Sequence, residues 1–364
     1  MSAITSITTR LYRIPLQDVL VDAKHGAHKF FELIITEVTT NDGLVGTGYT
    51  YTGGLGGESI RALIENELTS FLIGKNADEV EFLNQEMQWH IHYIGRGGIA
   101  SFAISALDIA LWDIRCKKVN QPLWRCAGGQ DNKCQVYHGG IDLSYSIEEL
   151  IQKNKQYLSA GFQALKIKVG LPDLDEDMAR IEAIRSLLGH EYNLMVDANY
   201  SLSLDQAMRA ADRFKEFNIT WFEEPIDPDD LDGYKQLSES VQVPLAMGEN
   251  FHIFSEFCNA FDRANITYIQ PDASNCGGIT GWLRVAELAE SRGLTVSSHG
   301  MQELHVSLVS SQVNSGWLEA HSFYIDQFTT RPLILDNGRA MAPDQVGIGV
   351  EFIAEKLEPH EVKI

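Results

Sequence analysis

The sequence predicts an α/β protein: a parallel (β/α)8 barrel of the TIM type, preceded by a smaller α+β domain. From about residue 134, short apolar runs alternate with helical segments, and eight such runs can be counted. Repeated β-then-α units imply parallel strands with helical crossovers, and eight of them are enough to close a barrel. A chain of 364 residues is also long enough for one large and one smaller domain.

The N-terminal part shows a different pattern. Residues 30–52 contain two runs with the alternation of strands, separated by Asn41, Asp42 and Gly43, a combination typical of a hairpin turn. Residues 58–125 instead space their apolar side chains three and four apart, as amphipathic helices do. We therefore predict an α+β domain over residues 1–130 and a barrel domain over residues 131–330.

The runs assigned to barrel strands are short, apolar and followed by a loop. They are CQVYHGG, ALKIKVG, LMVDANY, TWFEEP, PLAMGEN, ITYIQPDAS, TVSSHG and WLEAHS. An open doubly wound sheet is the alternative, but no GxGxxG motif opens its first βα unit. Residues 331–364 are turn-rich and do not continue the repeat. We expect this C-terminal segment to return to the N-terminal domain.

The composition limits the kinds of molecule that the protein can bind and indicates its cellular compartment. The formal net charge of -21 argues against nucleic acid or an anionic membrane as a partner, because both require a basic surface. The first residues lack the apolar stretch of a signal peptide, and no run approaches the length of a membrane span. The five cysteines are scattered and form no CxxC pair, as expected for free thiols in a reducing cytoplasm.

Two lysines lie two positions apart in the run ALKIKVG. Side chains alternate between the two faces of a strand, so Lys166 and Lys168 share one face. Inside a barrel, the two ammonium groups would repel each other, and we expect at least one pKa to fall toward neutrality. A lysine with such a pKa is a candidate general base. The alternative is that the pair only neutralises buried carboxylates.

Carboxylates follow the next three strands. Asp197, Glu223 and Glu249 each lie where an apolar run ends, which is the face of a barrel where active sites are built. Three carboxylates held this close repel one another unless a cation lies between them. Oxygen ligands with room for water and substrate favour Mg²⁺, so we predict one Mg²⁺ per active site.

The last strands contribute an acid and an imidazole. Asp272 and His299 follow neighbouring strands, and the aspartate can orient the histidine by accepting a hydrogen bond from one ring nitrogen. Glu319 follows the final strand, where burial and nearby carboxylates would favour its protonated form. A protonated Glu319 could donate to a substrate carboxylate. Cations and metal together would let this acidic protein bind a small-molecule carboxylate.

The motifs KIKVG, MVDAN, WFEEP, MGEN, QPDASNCGGITGW, SSHG and WLE resemble, in this order, those of the mandelate racemase subgroup of the enolase superfamily. The resemblance extends over essentially the whole chain. It implies a modified, enolase-like barrel whose N-terminal domain caps the active site and is completed by the C-terminal segment. It also implies a symmetric homo-oligomer, often an octamer.

The resemblance further implies a role for each candidate residue. Lys168 would remove the proton α to a carboxylate, which gives an enediolate, and Lys166 would tune Lys168 and contact the carboxylate. By the same resemblance, the Mg²⁺ ligands would be Asp197, Glu223 and Glu249. His299, paired with Asp272, would transfer a proton at the opposite face of the substrate. Glu319 would contact the substrate carboxylate, and Asn199 would lie near the metal and the substrate.

The expected reaction depends on where His299 delivers its proton. Delivery to a departing β-hydroxyl gives dehydration to a 2-keto-3-deoxy acid, whereas delivery to the α carbon gives racemisation or epimerisation. The capping segment VDAKHGAHKFFE carries Lys24 and His25, which suit polyhydroxylated acids better than an aryl acid. We therefore expect an acid-sugar dehydratase acting on an aldonate or aldarate, like those for talarate and galactarate, with a racemase or epimerase as the alternative. Muconate-type cycloisomerisation is disfavoured because that branch lacks the His–Asp pair.

Overall fold

The computed structural model of the chain describes residues 2–363. Its N-terminal domain begins with an antiparallel three-stranded sheet, β1 (Ile4–Asp22), β2 (Gly26–Thr40) and β3 (Val45–Thr52), in that order. The β2–β3 hairpin confirms the expected turn at residues 41–43. Strand β1 is absent from the expectation above, because its apolar residues alternate irregularly and its register shifts between Pro15 and Leu20.

Helices follow the sheet. Helix α1 (Gly57–Leu63) continues through a π-helical turn (Ile64–Leu68) into α2 (Thr69–Leu72), followed by α3 (Val80–His90), α4 (Ile99–Lys118) and α5 (Leu123–Cys126). Helix α4 packs directly on β3. A Cβ atom on Gly48 would lie 2.0 Å from the carbonyl oxygen of Ala106, so only glycine permits this close approach.

Eight parallel strands form the barrel, which confirms the predicted fold class. They are β4 (Lys133–Gly139), β5 (Ala164–Lys168), β6 (Asn193–Asp197), β7 (Ile219–Glu223), β8 (Leu245–Met247), β9 (Tyr268–Ile269), β10 (Thr295–Val296) and β11 (Trp317–His321). Strand β11 pairs with β4, and the Ser298 N–H donates to the Trp317 carbonyl at 3.0 Å, so the last two strands also meet.

Seven helices connect the strands on the outside. They are α6 (Ile147–Ser159), α7 (Leu174–Leu188), α8 (Leu204–Phe214), α9 (Leu231–Ser240), α10 (Phe254–Arg263), α11 (Gly278–Ser291) and α12 (Gln302–Ser311). Several start at side-chain caps; Ser146 and Ser203 each form a capping box with the residue three positions later. Within residues 2–363, no helix is both long enough and apolar enough to span a membrane.

The barrel interior is layered. A buried apolar cluster fills its lower part, and it consists of Tyr137, Ala164, Met195, Trp221 and Ala246. Two residues further along the strands, the same inward face carries Lys166, Asp197 and Glu223. The alternation of side chains therefore places ionisable groups directly above an apolar floor.

The C-terminal segment contacts both domains. Strands β12 (Ile334–Asp336) and β13 (Arg339–Met341) form a hairpin that extends the barrel sheet antiparallel to β4. Helix α13 (Ala354–Leu357) follows. Near the C-terminus, the Val362 N–H donates to the Leu11 carbonyl at 2.8 Å, which links the segment to the N-terminal sheet. The domain limits at residues 130 and 331 stay predictions.

A buried carboxyl lies where the N-terminal sheet meets α12. Glu303 Oε1 accepts a hydrogen bond from the Tyr49 hydroxyl at 2.5 Å, whereas Glu303 Oε2 is buried with no partner among residues 2–363. Burial raises the pKa of Glu303 to about 7. A protonated carboxyl tolerates this environment better than a carboxylate, because an ionised group loses its hydration there.

Because the pKa of Glu303 is raised, we expect the stability of the protein to depend on pH. The pKa of Glu303 is higher in the folded than in the unfolded protein. Its stabilising contribution to the free energy of unfolding is therefore complete below about pH 4.5 and is lost as the pH rises through 7. Glu303→Gln keeps an acceptor for Tyr49 and cannot ionise. Between pH 5 and pH 8, we expect the free energy of unfolding of wild type to fall by about 3 kcal/mol relative to that of the variant, measured by urea unfolding. Parallel pH profiles for the two proteins would contradict this assignment.

Candidate active site

Both lysines of β5 point into the barrel and are buried. Lys166 Nζ donates to Glu223 Oε1 at 2.5 Å and lies 2.8 Å from Glu319 Oε1. Lys168 Nζ donates to Asp197 Oδ2 at 2.5 Å. The two ammonium groups are therefore each paired with strand-end carboxylates, and the predicted shared face of the lysines is the interior of the barrel.

The expected fall in a lysine pKa is wrong for this structure. Burial favours loss of the proton, but Glu223 and Glu319 outweigh it and hold the pKa of Lys166 well above its usual value. Burial likewise opposes the charge on Lys168, and Asp197 more than compensates, so its pKa is also raised. The sequence shows that the two lysines are close to each other, but it does not show that each lysine lies within hydrogen-bonding distance of a carboxylate.

The three carboxylates expected to bind metal do converge. Asp197, Glu223 and Glu249 each offer an oxygen, and these oxygens lie within 4.8 Å of one another. Burial raises the pKa of Glu223 to about 8, and the neighbouring Asp197 adds to that shift. The cluster thus carries more negative charge than its surroundings readily accommodate, which is the environment that a divalent cation fits.

The surroundings of these carboxylates are consistent with a cation site. Glu223 Oε2 accepts hydrogen bonds from Trp221 Nε1 and Gln270 Nε2, both at 2.8 Å, and these bonds fix its orientation. The backbone N–H of Asn199 donates to Asp197 Oδ1 at 2.8 Å. The side-chain oxygen of Asn199 is buried with no hydrogen-bond partner among residues 2–363, so it is free to face a metal ion or a substrate.

Asp272 and His299 form a hydrogen-bonded pair. His299 Nδ1 lies 2.9 Å from Asp272 Oδ2, and His299 Nε2 lies 3.5 Å from Glu249 Oε2. Burial opposes charge on the imidazole, but Glu249 and Asp272 raise the pKa of His299 to about 10. An imidazole held this way carries a proton that it can give to a substrate oxygen or carbon.

Glu319 differs from its expected state. Its carboxylate lies beside Lys166, and Glu319 Oε2 accepts from the Gly300 N–H at 2.9 Å. Burial favours the protonated form, but Lys166 and His299 outweigh it and hold the pKa of Glu319 well below its usual value. The expectation of a protonated Glu319 is therefore wrong for this structure, because its nearest neighbour is a cation and not another carboxylate.

The capping segment is the tip of the β1–β2 hairpin and not an irregular loop. Asp22 accepts hydrogen bonds from the backbone N–H groups of Lys24 and His25 at 2.8 and 2.6 Å, and from His28 Nε2 at 2.8 Å. His25 Nδ1 contacts Asp22, and His25 Nε2 contacts the hydroxyl of Tyr200, which follows Asn199. The hairpin tip therefore lies over the carboxyl end of β6.

These contacts affect the two predicted substrate residues differently. Both ring nitrogens of His25 already have partners, and the hydrogen bond to Asp22 raises the pKa of His25. Lys24 is exposed, with Nζ 5.6 Å from the centre of the Tyr200 ring. Its ammonium group forms no salt bridge within the part of the chain that the structure describes. The substrate contacts of Lys24 and His25 stay predictions.

Sequence reasoning missed two residues at this site. His321 lies two residues after Glu319 on β11, and its ring centre is 5.2 Å from that of His299. Its Nδ1 accepts from the Phe323 N–H at 3.0 Å, and burial lowers its pKa to about 3, so Nε2 carries the only ring proton. The period of two could have identified His321. The second residue, Tyr51, comes from β3 and has no comparable signal.

A sheet-and-helix domain docked on a parallel barrel, with lysines, three carboxylates and a His–Asp pair at the carboxyl ends of the strands, defines an enolase-type fold and site. The chain matches the mandelate racemase / muconate lactonizing enzyme N-terminal domain over residues 8–128. It matches the enolase C-terminal domain-like family over residues 149–356. The protein therefore belongs to the enolase superfamily and is an enzyme of its mandelate racemase / muconate lactonizing branch.

Two curated relatives carry names of enzymes that act on acid sugars. The chain is 41% identical to a 3,6-anhydro-alpha-L-galactonate cycloisomerase of Streptomyces coelicolor over 354 residues, which cover 97% of this chain and 98% of the relative. It is 32% identical to an L-talarate/galactarate dehydratase of Salmonella typhimurium over 319 residues, or 87% of this chain and 79% of the relative. The relatives thus include both dehydratases and cycloisomerases.

Solved structures agree with this placement. A racemase from Streptomyces coelicolor with bound magnesium superimposes with a TM-score of 0.96 at 41% identity, covering 99% of this chain and all 100% of that one. The Salmonella typhimurium L-talarate/galactarate dehydratase, liganded with Mg and L-lyxarohydroxamate, gives 0.95 at 29% identity, covering 99% and 93%. Magnesium in both agrees with the ion expected from the three carboxylates.

Proposed function

We propose that this protein is a Mg²⁺-dependent enzyme that removes the proton α to the carboxylate of an acid sugar and expels the oxygen on the β carbon. One observation carries this proposal: Lys168 reaches the carboxylate cluster through Asp197 at 2.5 Å, while His299 reaches it through Glu249 at 3.5 Å. A substrate carboxylate at the cluster would thus have a base and an acid available from different strands.

Asp197, Glu223 and Glu249 would hold the Mg²⁺ ion. When bound, the ion supplies positive charge beside the substrate carboxylate, which makes its α proton more acidic. The same oxygen of Asp197 accepts from Lys168 in this structure. Mg²⁺ held by Asp197 would compete with Lys168 for that oxygen, which would favour the neutral amine that a base requires.

Replacing Asp197 tests the metal assignment. Asp197→Ala is expected to abolish Mg²⁺ binding measurable by isothermal titration calorimetry, because one of three charged ligands is lost. Asp205→Ala, on the exposed side of α8, is the matched control and should bind Mg²⁺ as wild type does. Equal affinity in wild type and Asp197→Ala would remove this residue from the ligand set.

The proton transfers define the first candidate reaction, dehydration. Lys168 accepts the α proton, the electron pair of that C–H bond forms a double bond to the β carbon, and the β C–O bond breaks. His299 gives its proton to the departing oxygen, which leaves as water. The enol product becomes a 2-keto-3-deoxy acid when it takes a proton at the β carbon.

The second candidate is a ring-opening isomerisation, and the 41% identity to the anhydro-galactonate cycloisomerase favours it. In a 3,6-anhydro acid sugar, the oxygen on the β carbon is an ether oxygen of the ring. The same two proton transfers would then open the ring, and the leaving oxygen would remain in the product as a hydroxyl group. The product would be an isomer of the substrate, with no loss of water.

His321 favours a polar substrate for this site. Its ring centre lies 5.2 Å from that of His299, and burial lowers its pKa to about 3, so the ring is neutral and has an N–H donor at Nε2. A neutral N–H donor suits a hydroxyl or ether oxygen of a sugar chain, whereas an aryl substituent would leave it without a partner. This residue thus supports the choice of an acid sugar over an aryl acid.

A substrate panel in D₂O distinguishes the candidates. Purified protein with Mg²⁺ would be incubated with aldonic acids, aldaric acids and 3,6-anhydro acids, then assayed by NMR and mass spectrometry. Keto acid with loss of water establishes the dehydratase, and keto acid of unchanged mass, apart from deuterium, establishes the cycloisomerase. Inversion or α-deuterium without keto acid identifies the racemase or epimerase, and no reaction of any acid contradicts the proposal.

The remaining expectations concern assembly and location. A homo-oligomer, with an octamer as one form, and a cytoplasmic location stay predictions. Light scattering on the purified protein would measure the oligomeric mass directly.

A further inference from the structure

The catalytic pair of the barrel is contacted by a residue of the N-terminal sheet. Tyr51, on β3, donates its hydroxyl hydrogen to Asp272 Oδ2 at 2.8 Å. The same oxygen lies 2.9 Å from His299 Nδ1. Tyr51 and Asp272 are both buried, so no bulk water competes for this oxygen. The other oxygen, Oδ1, accepts from the Ser274 N–H at 2.7 Å.

Neighbouring contacts fix the position of the Tyr51 hydroxyl. Thr50 Oγ1 donates to the Ser274 carbonyl at 2.6 Å, which ties the same strand to the loop that carries Asp272. A Cβ atom on Gly300 would lie 2.1 Å from Tyr51 Oη, so the residue beside His299 leaves room for the hydroxyl only because it is glycine. The Tyr51 ring packs edge-on against Phe323 at 6.2 Å.

We propose that Tyr51 is a positioning residue for the Asp272–His299 pair, so that the pair is complete only when the N-terminal domain is docked on the barrel. The inference rests on the proposed function for the role of His299, and on the contacts above for the role of Tyr51. Three donors, from two domains, hold the Asp272 carboxylate in one orientation. The orientation of Asp272 in turn sets the direction in which His299 presents Nε2.

The arrangement predicts which step depends on Tyr51. Without its hydroxyl, the Asp272 carboxylate keeps two donors instead of three, Ser274 N–H and His299 Nδ1, so the orientation of His299 is less well fixed. Lys168 lies on a different strand, and its ammonium donates to Asp197, whereas the Tyr51 hydroxyl donates to Asp272. Proton transfer by His299 should therefore slow, while binding and α-proton removal by Lys168 should change little.

Tyr49 supplies a matched control on the same strand. It is buried, and its hydroxyl also donates to a buried carboxyl oxygen, that of Glu303. Tyr49→Phe therefore removes the same chemical group from the same sheet without touching Asp272. Any loss of activity common to Tyr49→Phe and Tyr51→Phe reflects damage to the interface between the domains.

The experiment compares wild type, Tyr51→Phe and Tyr49→Phe on the acid that wild type converts. We expect Tyr51→Phe to lower kcat about 10- to 100-fold with KM nearly unchanged, the range found when a supporting hydrogen bond is removed. The ratio of α-deuterium exchange to product should rise in Tyr51→Phe only. An unchanged kcat in Tyr51→Phe, or equal changes in both variants, would overturn the inference.

A second readout keeps this test separate from the proposed function. If wild type neither exchanges nor converts any acid, the proposed function fails. The inference is then tested by crystal structures of the three Mg²⁺-loaded proteins, in which the side-chain torsion angles of Asp272 and His299 are compared. Changed torsion angles in Tyr51→Phe with wild-type angles in Tyr49→Phe support the positioning role, and the same angles in all three proteins overturn it.

Discussion

Replacing Lys168 with alanine is expected to abolish product formation and α-deuterium exchange together, each by at least about 10³-fold. Lys168 Nζ is the candidate base that would receive the α proton. Lys166 is held by two carboxylates, Glu223 at 2.5 Å and Glu319 at 2.8 Å, whereas Lys168 is held by Asp197 alone, so the proton of Lys166 is the harder one to remove. The measurement is a time course in D₂O, followed by NMR, on the acid that the panel identifies.

Loss of activity in Lys168→Ala must be distinguished from damage to the fold or to the metal site. Lys168 contributes to a buried ion pair with Asp197, so the variant leaves a carboxylate with fewer partners. Thermal unfolding and Mg²⁺ titration of Lys168→Ala must therefore remain close to wild type before the loss is ascribed to proton removal. Lys155→Ala, on the exposed face of α6, should behave as wild type. Turnover at the wild-type rate in Lys168→Ala would rule out Lys168 as the base.

The barrel and most of its charged residues follow from the sequence for a simple physical reason. A strand alternates with a period of two, and parallel strands joined by helices all end on one face. Lys166, Lys168 and Asp197 could therefore be assigned to one cavity from the sequence alone. In the structure, Lys166 Nζ and Lys168 Nζ lie 3.3 and 2.5 Å from the same oxygen of Asp197. His321 obeys the same period and could have been found in the same way.

Protonation states could not be obtained in this way. The pKa of a buried group depends on which opposite charge is nearest, and differences of an ångström decide that balance. Lys166 lies nearer to Glu223 and Glu319 than to any other charged group described, so its pKa rises where repulsion from Lys168 alone would have lowered it. Glu319 is ionised for the same reason.

Contacts between distant parts of the chain also escape sequence patterns. Tyr51 and Asp272 are 221 residues apart, and their contact depends on how the N-terminal sheet docks on the barrel. Nothing in the run TYT distinguishes a hydroxyl that donates to a buried aspartate from one that faces solvent. The hairpin tip is a similar case, since Asp22 organises His25 and His28 only after the chain has turned back on itself.

Replacing His299 with asparagine is expected to separate the two halves of the reaction. Asparagine can still donate to Asp272 but cannot transfer a proton, so product formation should fall by at least about 10³-fold. Proton removal by Lys168 should persist, because Lys168 contacts the cluster through Asp197 and not through His299. Deuterium should therefore accumulate at the α carbon of recovered substrate, which NMR would detect directly.

The pattern of loss also discriminates between the candidate reactions. If both exchange and product formation disappear in His299→Asn, the imidazole is itself the base for the α proton, and the roles of His299 and Lys168 must be exchanged. If inversion disappears while exchange with retention persists, His299 returns protons to the carbon, and the enzyme is a racemase or epimerase. Only exchange without elimination fits an imidazole that protonates a departing β-oxygen. His190→Asn, at an exposed position, controls for loss of a histidine elsewhere in the chain.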